Sequence, residues 1–254
     1  MPEMKNPFAW YELMTTDTAA APKLYAGVVG WRAEDSGMPG MDYTLFHSGD
    51  SMVAGLMAQP AEGTPPAWLG YVGVDDVDAK TSAAKKLGAT VYVEPRDIPD
   101  VGRFSVIADP QGAVFALYSS SGDEPPRPGM MTPGQIGWNE LCASDWQTVL
   151  PFYAELFGWA KGIPVDMGEM GTYQLVTTGG DSEAFGGMFT KTPEIPATYW
   201  LYYFGVDAID PAAERVTANG GKLVFGPMEV PGGAFIVQCE DPQGAMFALV
   251  GPRK

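Results

Sequence analysis

The sequence predicts an α+β protein that arose by tandem duplication. The first observation is a repeat: Asp109–Leu117 (DPQGAVFAL) returns almost unchanged as Asp241–Leu249 (DPQGAMFAL), 132 positions later (241 − 109). The second is that each half arranges its strand and helix patterns in the same order. The third is composition, since 46% hydrophobic and 12% aromatic residues in 254 positions suffice for two ordinary cores.

The acidity of the chain excludes several classes of partner. Its 15 Lys and Arg face 31 Asp and Glu, a net charge of −16, so it repels phosphate backbones and anionic lipid. We therefore expect no nucleic-acid partner and no membrane partner. No apolar run could span a bilayer, the N-terminus lacks a signal-peptide pattern, and Cys142 and Cys239 are too few for a disulfide framework. A cytoplasmic protein with free thiols, monomeric or homodimeric, is expected.

The first elements follow from periodicity and from turn residues. Phe8–Met14 has a strand pattern, and Thr18–Val29 has a helix pattern with Asp17 as its predicted N-cap. Pro22 lies inside that pattern, so we expect the helix to start late. The next predicted elements are two strands joined by a turn, Met41–His47 and Met52–Met57.

The rest of the first half repeats this logic. Trp68–Val74 is an apolar strand, and Asp76 or Asp78 can cap a helix over Ala79–Leu87. The strands predicted after it are Thr90–Val93, Arg103–Ala108 and the run that follows the Asp109 turn. That turn suits Asp-Pro-Gln-Gly because Asp can bond its own backbone, Pro pre-sets φ, and Gly relieves the exit.

The second half restates the first and sets the domain boundaries. Trp138–Asp145 matches Trp10–Asp17, Tyr199–Val206 matches Ala67–Val74, and Asp210–Asn219 is a second capped helix. Residues 119–134 are rich in Ser, Pro and Gly, which is typical of a linker. We expect domain 1 over residues 1–118, the linker over 119–134, and domain 2 over 135–254.

Four paired motifs resemble those of a known superfamily. They are the strand ends before Asp17 and Asp145, the helix ends Tyr25–Trp31 and Tyr153–Trp159, the strand exits Gly73–Asp78 and Gly205–Asp210, and both Asp-Pro-Gln-Gly turns. The chain resembles the vicinal oxygen chelate superfamily of glyoxalase I, bleomycin-resistance proteins and extradiol dioxygenases, in particular a tandem branch labelled glyoxalase-like or hydroxylase. The resemblance implies tandem glyoxalase-like domains: four βαβββ modules forming two open cup-shaped sheets, each with a site in its cleft.

The same resemblance implies where metal ligands would lie. Three of the family's four ligand positions hold Trp10 and Trp138, Leu69 and Leu201, and Ala116 and Ala248. The fourth lies in a hairpin, around Tyr43–Leu45 and Tyr173–Leu175, where no carboxylate or histidine is in reach. Indole, isobutyl and methyl groups cannot coordinate a divalent ion. We therefore expect no metal, no cofactor, and neither glyoxalase I nor ring-cleaving dioxygenase activity. His47, the single histidine, is interpreted as an ordinary hairpin residue.

Strand alternation predicts which side chains share the cleft. Glu12 and Glu140 each follow a Trp by two residues, so they point the same way as that Trp. They are the predicted catalytic residues, with a satisfied internal hydrogen bond as the alternative. The predicted ligand-binding residues, for which core or strand packing is the alternative, are Trp10, Tyr71, Tyr118, Trp138 and Tyr203. Cys142 is interpreted as an inert thiol and Arg103 as facing solvent.

Three functions follow from this pattern. The first is metal-independent binding of a small apolar or aromatic metabolite or drug, because the predicted cleft is aromatic and apolar. The second is a metal-independent isomerase or lyase that uses a cleft glutamate as general base. The third is an interaction protein whose clefts are vestigial. A structure discriminates among them by the cleft. If Trp10 and Trp138 fill it so that no cavity remains, the first two functions fail together, and a cavity that holds Glu12 or Glu140 without a protein hydrogen-bond partner favours catalysis.

Overall fold

The computed structural model describes residues 7–122 and 132–253, and the predicted linker positions 123–131 lie outside that part. Four consecutive βαβββ modules are present. Module 1 comprises β1 (Phe8–Thr15), α1 (Ala21–Val29), β2 (Arg32–Asp35), β3 (Thr44–Ser48) and β4 (Ser51–Ala58). Module 2 comprises β5 (Ala67–Gly73), α2 (Val77–Lys86), β6 (Thr90–Ile98), β7 (Gly102–Ala108) and β8 (Val114–Ser120).

The second half contains the same element order. Module 3 comprises β9 (Ile136–Ala143), α3 (Trp146–Phe157), β10 (Ala160–Asp166), a short 3-10 helix (Gly168–Met170), β11 (Thr172–Thr177) and β12 (Ala184–Thr190). Module 4 comprises β13 (Tyr199–Gly205), α4 (Ile209–Ala218), β14 (Lys222–Glu229), β15 (Phe235–Glu240) and β16 (Met246–Gly251). No helix in the described part of the chain is long and apolar enough to cross a membrane.

Two eight-stranded open sheets follow the duplication strand for strand. One has the order β2-β3-β4-β1-β5-β8-β7-β6 and the other β10-β11-β12-β9-β13-β16-β15-β14. In each module the first strand pairs in parallel with the last, as β1 does with β4 and β13 with β16, and the hairpin pairs are antiparallel. The predicted α+β class, with four βαβββ modules in two open sheets, is confirmed.

The helix termini correct two predicted caps. Helix α1 begins late, with Pro22 in its first turn as predicted, but its N-cap is Ala20 and not Asp17. The Asp17 carboxylate instead accepts hydrogen bonds from the amides of Ala19 (3.1 Å) and Ala20 (2.9 Å), which forms a turn ahead of the helix. Its counterpart Asp145 does cap α3, which begins at the next residue and contains Pro151 within the helix. Helix α4 begins one residue before Asp210 and has no side-chain cap.

The contacts divide the described residues into two compact units. Unit 1 contains residues 7–9, 70–122 and 139–200, and unit 2 contains residues 10–69, 132–138 and 201–253. Each unit therefore takes residues from both sequence halves. Helices α2 and α3 contact each other in unit 1, and helices α1 and α4 do so in unit 2.

A buried hydrogen-bonded triad lies in the core of unit 2. The hydroxyl of Tyr25, which is fully buried, donates to Asp241 Oδ2 (3.0 Å) and accepts from the Trp68 indole (2.9 Å). The other carboxylate oxygen, Asp241 Oδ1, accepts from the amides of Gln243 (3.0 Å) and Ala245 (2.8 Å). The turn Asp thus bonds its own backbone, as the sequence predicted, and also a tyrosine from the other half of the sequence.

Unit 1 contains the same triad built from the reciprocal halves. Tyr153 donates to Asp109 Oδ2 (2.8 Å) and accepts from the Trp200 indole (3.1 Å). Asp109 Oδ1 accepts from the amides of Gln111 (2.8 Å) and Ala113 (3.0 Å). Burial raises the pKa of the Asp109 carboxyl even though these donors act to lower it. In each unit, the repeated helix tyrosine and the repeated Asp-Pro-Gln-Gly turn are therefore joined by one buried hydrogen bond.

Candidate functional site

Three of the four positions predicted for metal ligands hold side chains that cannot coordinate a divalent ion. Leu69 and Ala116 are buried in β5 and β8, and the Trp10 indole nitrogen donates to a neighbouring hydroxyl. Their second-half counterparts Leu201 and Ala248 are buried as well. Across residues 7–122 and 132–253, no group of three or more His, Cys, Asp and Glu side chains is placed to hold a metal ion. These residues do not fit a divalent metal.

Module 1 carries an aromatic and acidic patch, here called the β1 face, within unit 2. Glu12 is 7% exposed and pairs across the sheet with Gly55. The ring of Tyr43 covers that glycine, since a Cβ at position 55 would lie 1.8 Å from the Tyr43 hydroxyl. The Trp10 indole donates a 3.0 Å hydrogen bond to the same hydroxyl. Trp10, Tyr43 and Glu12 therefore form one continuous surface.

Module 3 repeats this arrangement in unit 1, as the β9 face. Glu140 is 6% exposed and pairs with Gly187, and Tyr173 covers that glycine in the same way. The Tyr173 ring also stacks on Phe189, with centroids 6.3 Å apart and planes inclined by 21°. A strand-interior glycine that returns in both halves marks a close approach of another group. That signal could have identified Tyr43 and Tyr173 as part of these faces. From the sequence they were named only at the hairpin position of the family's fourth metal ligand.

The β9 face also carries a thiol and a phenol that its counterpart lacks. Cys142, buried two residues beyond Glu140, lies near the Tyr199 side chain. Burial, then the nearby Glu140 charge, raises the pKa of Cys142 to about 12. Burial, then Cys142 and Glu140, also raises the pKa of Tyr199. Both groups are thus neutral donors at pH 7. The first half has Met14 and Ala67 at these places, so the repeat gave no hint of Tyr199.

Module 2 contributes an aromatic surface to unit 1, here called the β8 face. The Tyr71 ring lies 6.3 Å from the rings of both Phe104 and Tyr118, edge-on to the latter at 85°. The Tyr118 hydroxyl donates to the Val101 carbonyl (3.1 Å). Two predicted ligand-binding residues are therefore brought together here. Arg103 is held in ion pairs with Asp78 (2.6 Å) and Asp97 (2.7 Å).

The remaining predicted residues lie on separate strands of unit 2. Tyr203 pairs with Ala248 in the sheet and accepts a long hydrogen bond from Gln238 Nε2 (3.4 Å). Trp138 is half-buried on β9. Trp138, Tyr203 and both predicted glutamates have interacting neighbours, so neither carboxylate lacks a partner.

Two surface depressions are lined by other residues. One, of about 370 Å³, is in unit 2 beside the end of α1 and includes Arg215 and Asp207. The other, of about 330 Å³, is in unit 1 at the turn between β6 and β7. Neither is lined by a predicted site residue, and Arg215 is already bound to the Val28 carbonyl (2.9 Å). The β1, β9 and β8 faces, rather than these depressions, contain the chemically distinctive groups.

Comparison with other sequences gives the same picture over the whole chain. "Putative glyoxylase CFP32" of Mycobacterium tuberculosis is 33% identical over 249 residues, which cover 96% of this chain and 94% of that protein. "Anthracycline biosynthesis protein DauV" of Streptomyces sp. strain C5 is 30% identical over 268 residues, which cover 97% and 93%. A further relative, DnrV of Streptomyces peucetius, carries the same description at 30% identity.

Solved structures and a family model agree on the fold. The Mn(II)-bound glyoxalase from Novosphingobium aromaticivorans matches 98% of this chain and 83% of its own length, with a TM-score of 0.68 at 16% identity. The 2,3-dioxygenase LapB from Pseudomonas sp. KL28 matches 97% and 92%, with a TM-score of 0.64 at 13% identity. The family model matches residues 8–117 and 135–249. The chain belongs to the glyoxalase/bleomycin resistance protein/dioxygenase superfamily.

Proposed function

We propose that this protein binds a small, planar, largely aromatic molecule without the help of a metal ion. The observation that carries the proposal is the β9 face. There Tyr173 and Phe189 present stacked rings beside buried Glu140 and Cys142 and half-buried Tyr199. Aromatic walls with a few fixed polar groups are typical of small-molecule sites. The absence of donor side chains at the family's ligand positions supports metal independence.

Energetics favour a ligand that uses both parts of the face. Burying about 200 Å² of apolar ligand surface at about 25 cal/mol per Å² contributes about 5 kcal/mol. Micromolar binding requires about 8 kcal/mol after the costs of association are met. Stacking alone is therefore insufficient. Polar contacts of about 1–3 kcal/mol each, made to Glu140 and Tyr199, would supply the difference and fix the ligand's orientation.

The relatives suggest the size of such a ligand. Two Streptomyces proteins, each matched over nearly its whole length, are described as anthracycline biosynthesis proteins. Anthracyclines are planar tetracyclic quinones with phenolic hydroxyls. An acceptor such as Glu140 can receive a hydrogen bond from a phenol, and the protonated Tyr199 can donate one to a quinone oxygen. Polycyclic hydroxyquinones are therefore the first probes to use.

Calorimetric titration with an anthracycline aglycone tests the proposal. We expect binding in the micromolar range, unchanged by EDTA or by one equivalent of Mn²⁺ or Fe²⁺. Glu140→Gln and Tyr199→Phe should each weaken it about tenfold, whereas the exposed Tyr92→Phe should have no effect. Affinity that disappears with EDTA and returns with metal would contradict metal independence. No binding of any planar aromatic probe would favour an interaction protein with vestigial clefts.

Catalysis is a second candidate because Glu140 and Tyr199 could act as a base and an acid. In unit 1 the buried carboxylate lies close enough to the Tyr199 phenol to influence its pKa. General base catalysis requires such a carboxylate within hydrogen-bond reach of a substrate proton. The test is exchange of a substrate C–H proton into D₂O, followed by NMR. Exchange that is lost in Glu140→Gln but retained in Cys142→Ser would establish the enzyme, and no exchange above background would leave binding alone.

A further inference from the structure

One cation of module 2 is placed on the β8 face by an irregularity in β6. The pairing of β6 with β7 shifts register between Val93 and Arg96, so that Arg96 is opposite Phe104. Phe104 in turn pairs with Tyr118 on β8. Cross-strand partners share a sheet face, and Arg96 accordingly stacks on Phe104, with its Cζ 4.9 Å from the ring centroid. Arg96 was not identified from the sequence, where Arg103 was the arginine considered.

Arg96 differs from the other described arginines in its ionic contacts. Arg32, Arg103, Arg215 and Arg253 each have a carboxylate oxygen within 4.0 Å. Within residues 7–122 and 132–253, Arg96 forms no such ion pair, although acidic residues outnumber basic ones two to one in this chain. Its exposed guanidinium therefore keeps the charge and the donor edge that a carboxylate or phenolate would bind.

We propose that the β8 face together with Arg96 binds the anionic group of an aromatic ligand, either a carboxylate or an acidic phenol or enol. This inference rests on the proposed function, since the ligand is again a planar aromatic molecule, but it concerns the β8 face, which belongs to a different sheet from the β9 face. Tyr71 and Phe104 supply aromatic contact, while the guanidinium, held flat on Phe104, presents its N–H donors at the edge of that surface. Stacking fixes the plane of the guanidinium, so bidentate pairing with an oxyanion costs less side-chain entropy than it would for a lysine.

The duplicated half lacks an arginine at this register. Its stacked arginine is Arg253, which lies 5.0 Å from the Phe235 ring centroid and is paired with Asp210 (2.9 Å). At the same register in module 4, Met228 of β14 is opposite Ile236 of β15, and Ile236 is opposite Val250 of β16. Tyr203 retains the place of Tyr71 beside the closing strand. The aromatic wall is thus partly kept, but the cation and two of its ring neighbours are replaced by neutral aliphatic groups. The same register in module 4 therefore offers no cation to an anionic ligand.

A matched pair of probes tests this assignment. Anthraquinone-2-carboxylate and anthraquinone-2-carboxamide have the same ring system and differ in charge. By calorimetry at low salt, we expect the intact protein to bind the carboxylate at least about tenfold more tightly than the carboxamide. Arg96→Met, which introduces the module 4 residue, should abolish that preference, chiefly by weakening carboxylate binding. Arg96→Lys should restore part of it, and Lys86→Met, which removes a charge from α2, should have no effect.

The possible outcomes separate the two proposals. If both probes bind equally to the intact protein and to Arg96→Met, ligand binding stands and the anionic class is wrong. If Lys86→Met weakens carboxylate binding as much as Arg96→Met does, general charge attraction explains the preference and the Arg96 assignment fails. If neither probe binds the intact protein at millimolar concentration, both proposals are overturned. Thermal unfolding of each variant confirms that the comparison is made between folded proteins.

Discussion

Cys142 and Cys239 are buried thiols whose chemistry is set by their surroundings. Burial raises the pKa of each to about 12, and for Cys142 the charge of Glu140 adds to that rise. Because the thiolate is the reactive form, both should be inert near neutral pH. We predict that the native protein gives no reaction with Ellman's reagent at pH 8, whereas the urea-unfolded chain gives two thiols. Rapid labelling of one native thiol would show that its environment is more polar or more open.

At the residue scale, the sequence predicted positions better than partners. Glu12 and Glu140 are buried on β1 and β9, where alternation placed them. Their roles stay predictions. Three residues were missed for distinct reasons. Hairpin geometry brings Tyr43 over a glycine, Tyr199 differs between the halves, and the position of Arg96 depends on a register shift. None of these causes leaves a periodic signal.

At the element scale, the Tyr–Asp–Trp triads should contribute equally to stability in both units. Removing the Tyr153 hydroxyl leaves Asp109 Oδ2 and the Trp200 indole without that partner, and removing the Tyr25 hydroxyl does the same to Asp241 and Trp68. Each lost partner of a buried polar group costs about 1–3 kcal/mol. We predict that Tyr153→Phe and Tyr25→Phe each lower the free energy of unfolding in urea by about 2–4 kcal/mol. The exposed Tyr92→Phe is the control, with less than about 0.5 kcal/mol expected. A large cost at one site only would show that the triads are not equivalent.

The turn that begins at Asp109 should also make stability depend on pH. The folded-state pKa of the Asp109 carboxyl is raised, chiefly by burial, above the value of about 4 expected in the unfolded chain. A raised carboxyl pKa contributes stability that is complete below the unfolded pKa and is lost as pH rises through the folded pKa. Asp109→Asn removes this titration but carries a constant cost for its altered hydrogen bonds. We therefore predict that the mutant's unfolding free energy rises relative to wild type between pH 4 and pH 7. A difference that stays flat or falls would contradict the sign.

Element prediction succeeded where apolar alternation was strong. The predicted strands around β1, β5, β9 and β13 and all four helices are present, with shifted ends. Strand β2 was missed because Arg32–Asp35 is polar and fully exposed, so nothing in its sequence distinguishes an edge strand from a loop. The prediction that Pro22 delays the start of α1 was correct. The late start also moves the N-cap from Asp17 to Ala20, which was not predicted.

At the scale of the whole molecule, duplication in the sequence and compactness in space follow different divisions. Helix α1 of the first half contacts α4 of the second, and α2 contacts α3. Both triads likewise join a tyrosine from one half to an aspartate from the other. The repeat predicted that two similar halves exist. It could not predict which half supplies each partner, because identical motifs fit either partner equally well.

That ambiguity yields a prediction about the halves as separate fragments. A fragment of residues 1–122 keeps Tyr25 and Asp109 but loses their partners Asp241 and Tyr153. Since Asp109 and Asp241 lie in nearly identical turns, a second copy of the fragment can supply the missing group through a two-fold symmetric contact. We predict that the fragment is a homodimer by light scattering, with concentration-dependent thermal unfolding. Tyr25→Phe should shift it toward unfolded monomer. A folded monomer that unfolds cooperatively at a concentration-independent temperature would contradict this. Each half would then complete its own core, and the Tyr–Asp hydrogen bonds between the halves would be dispensable.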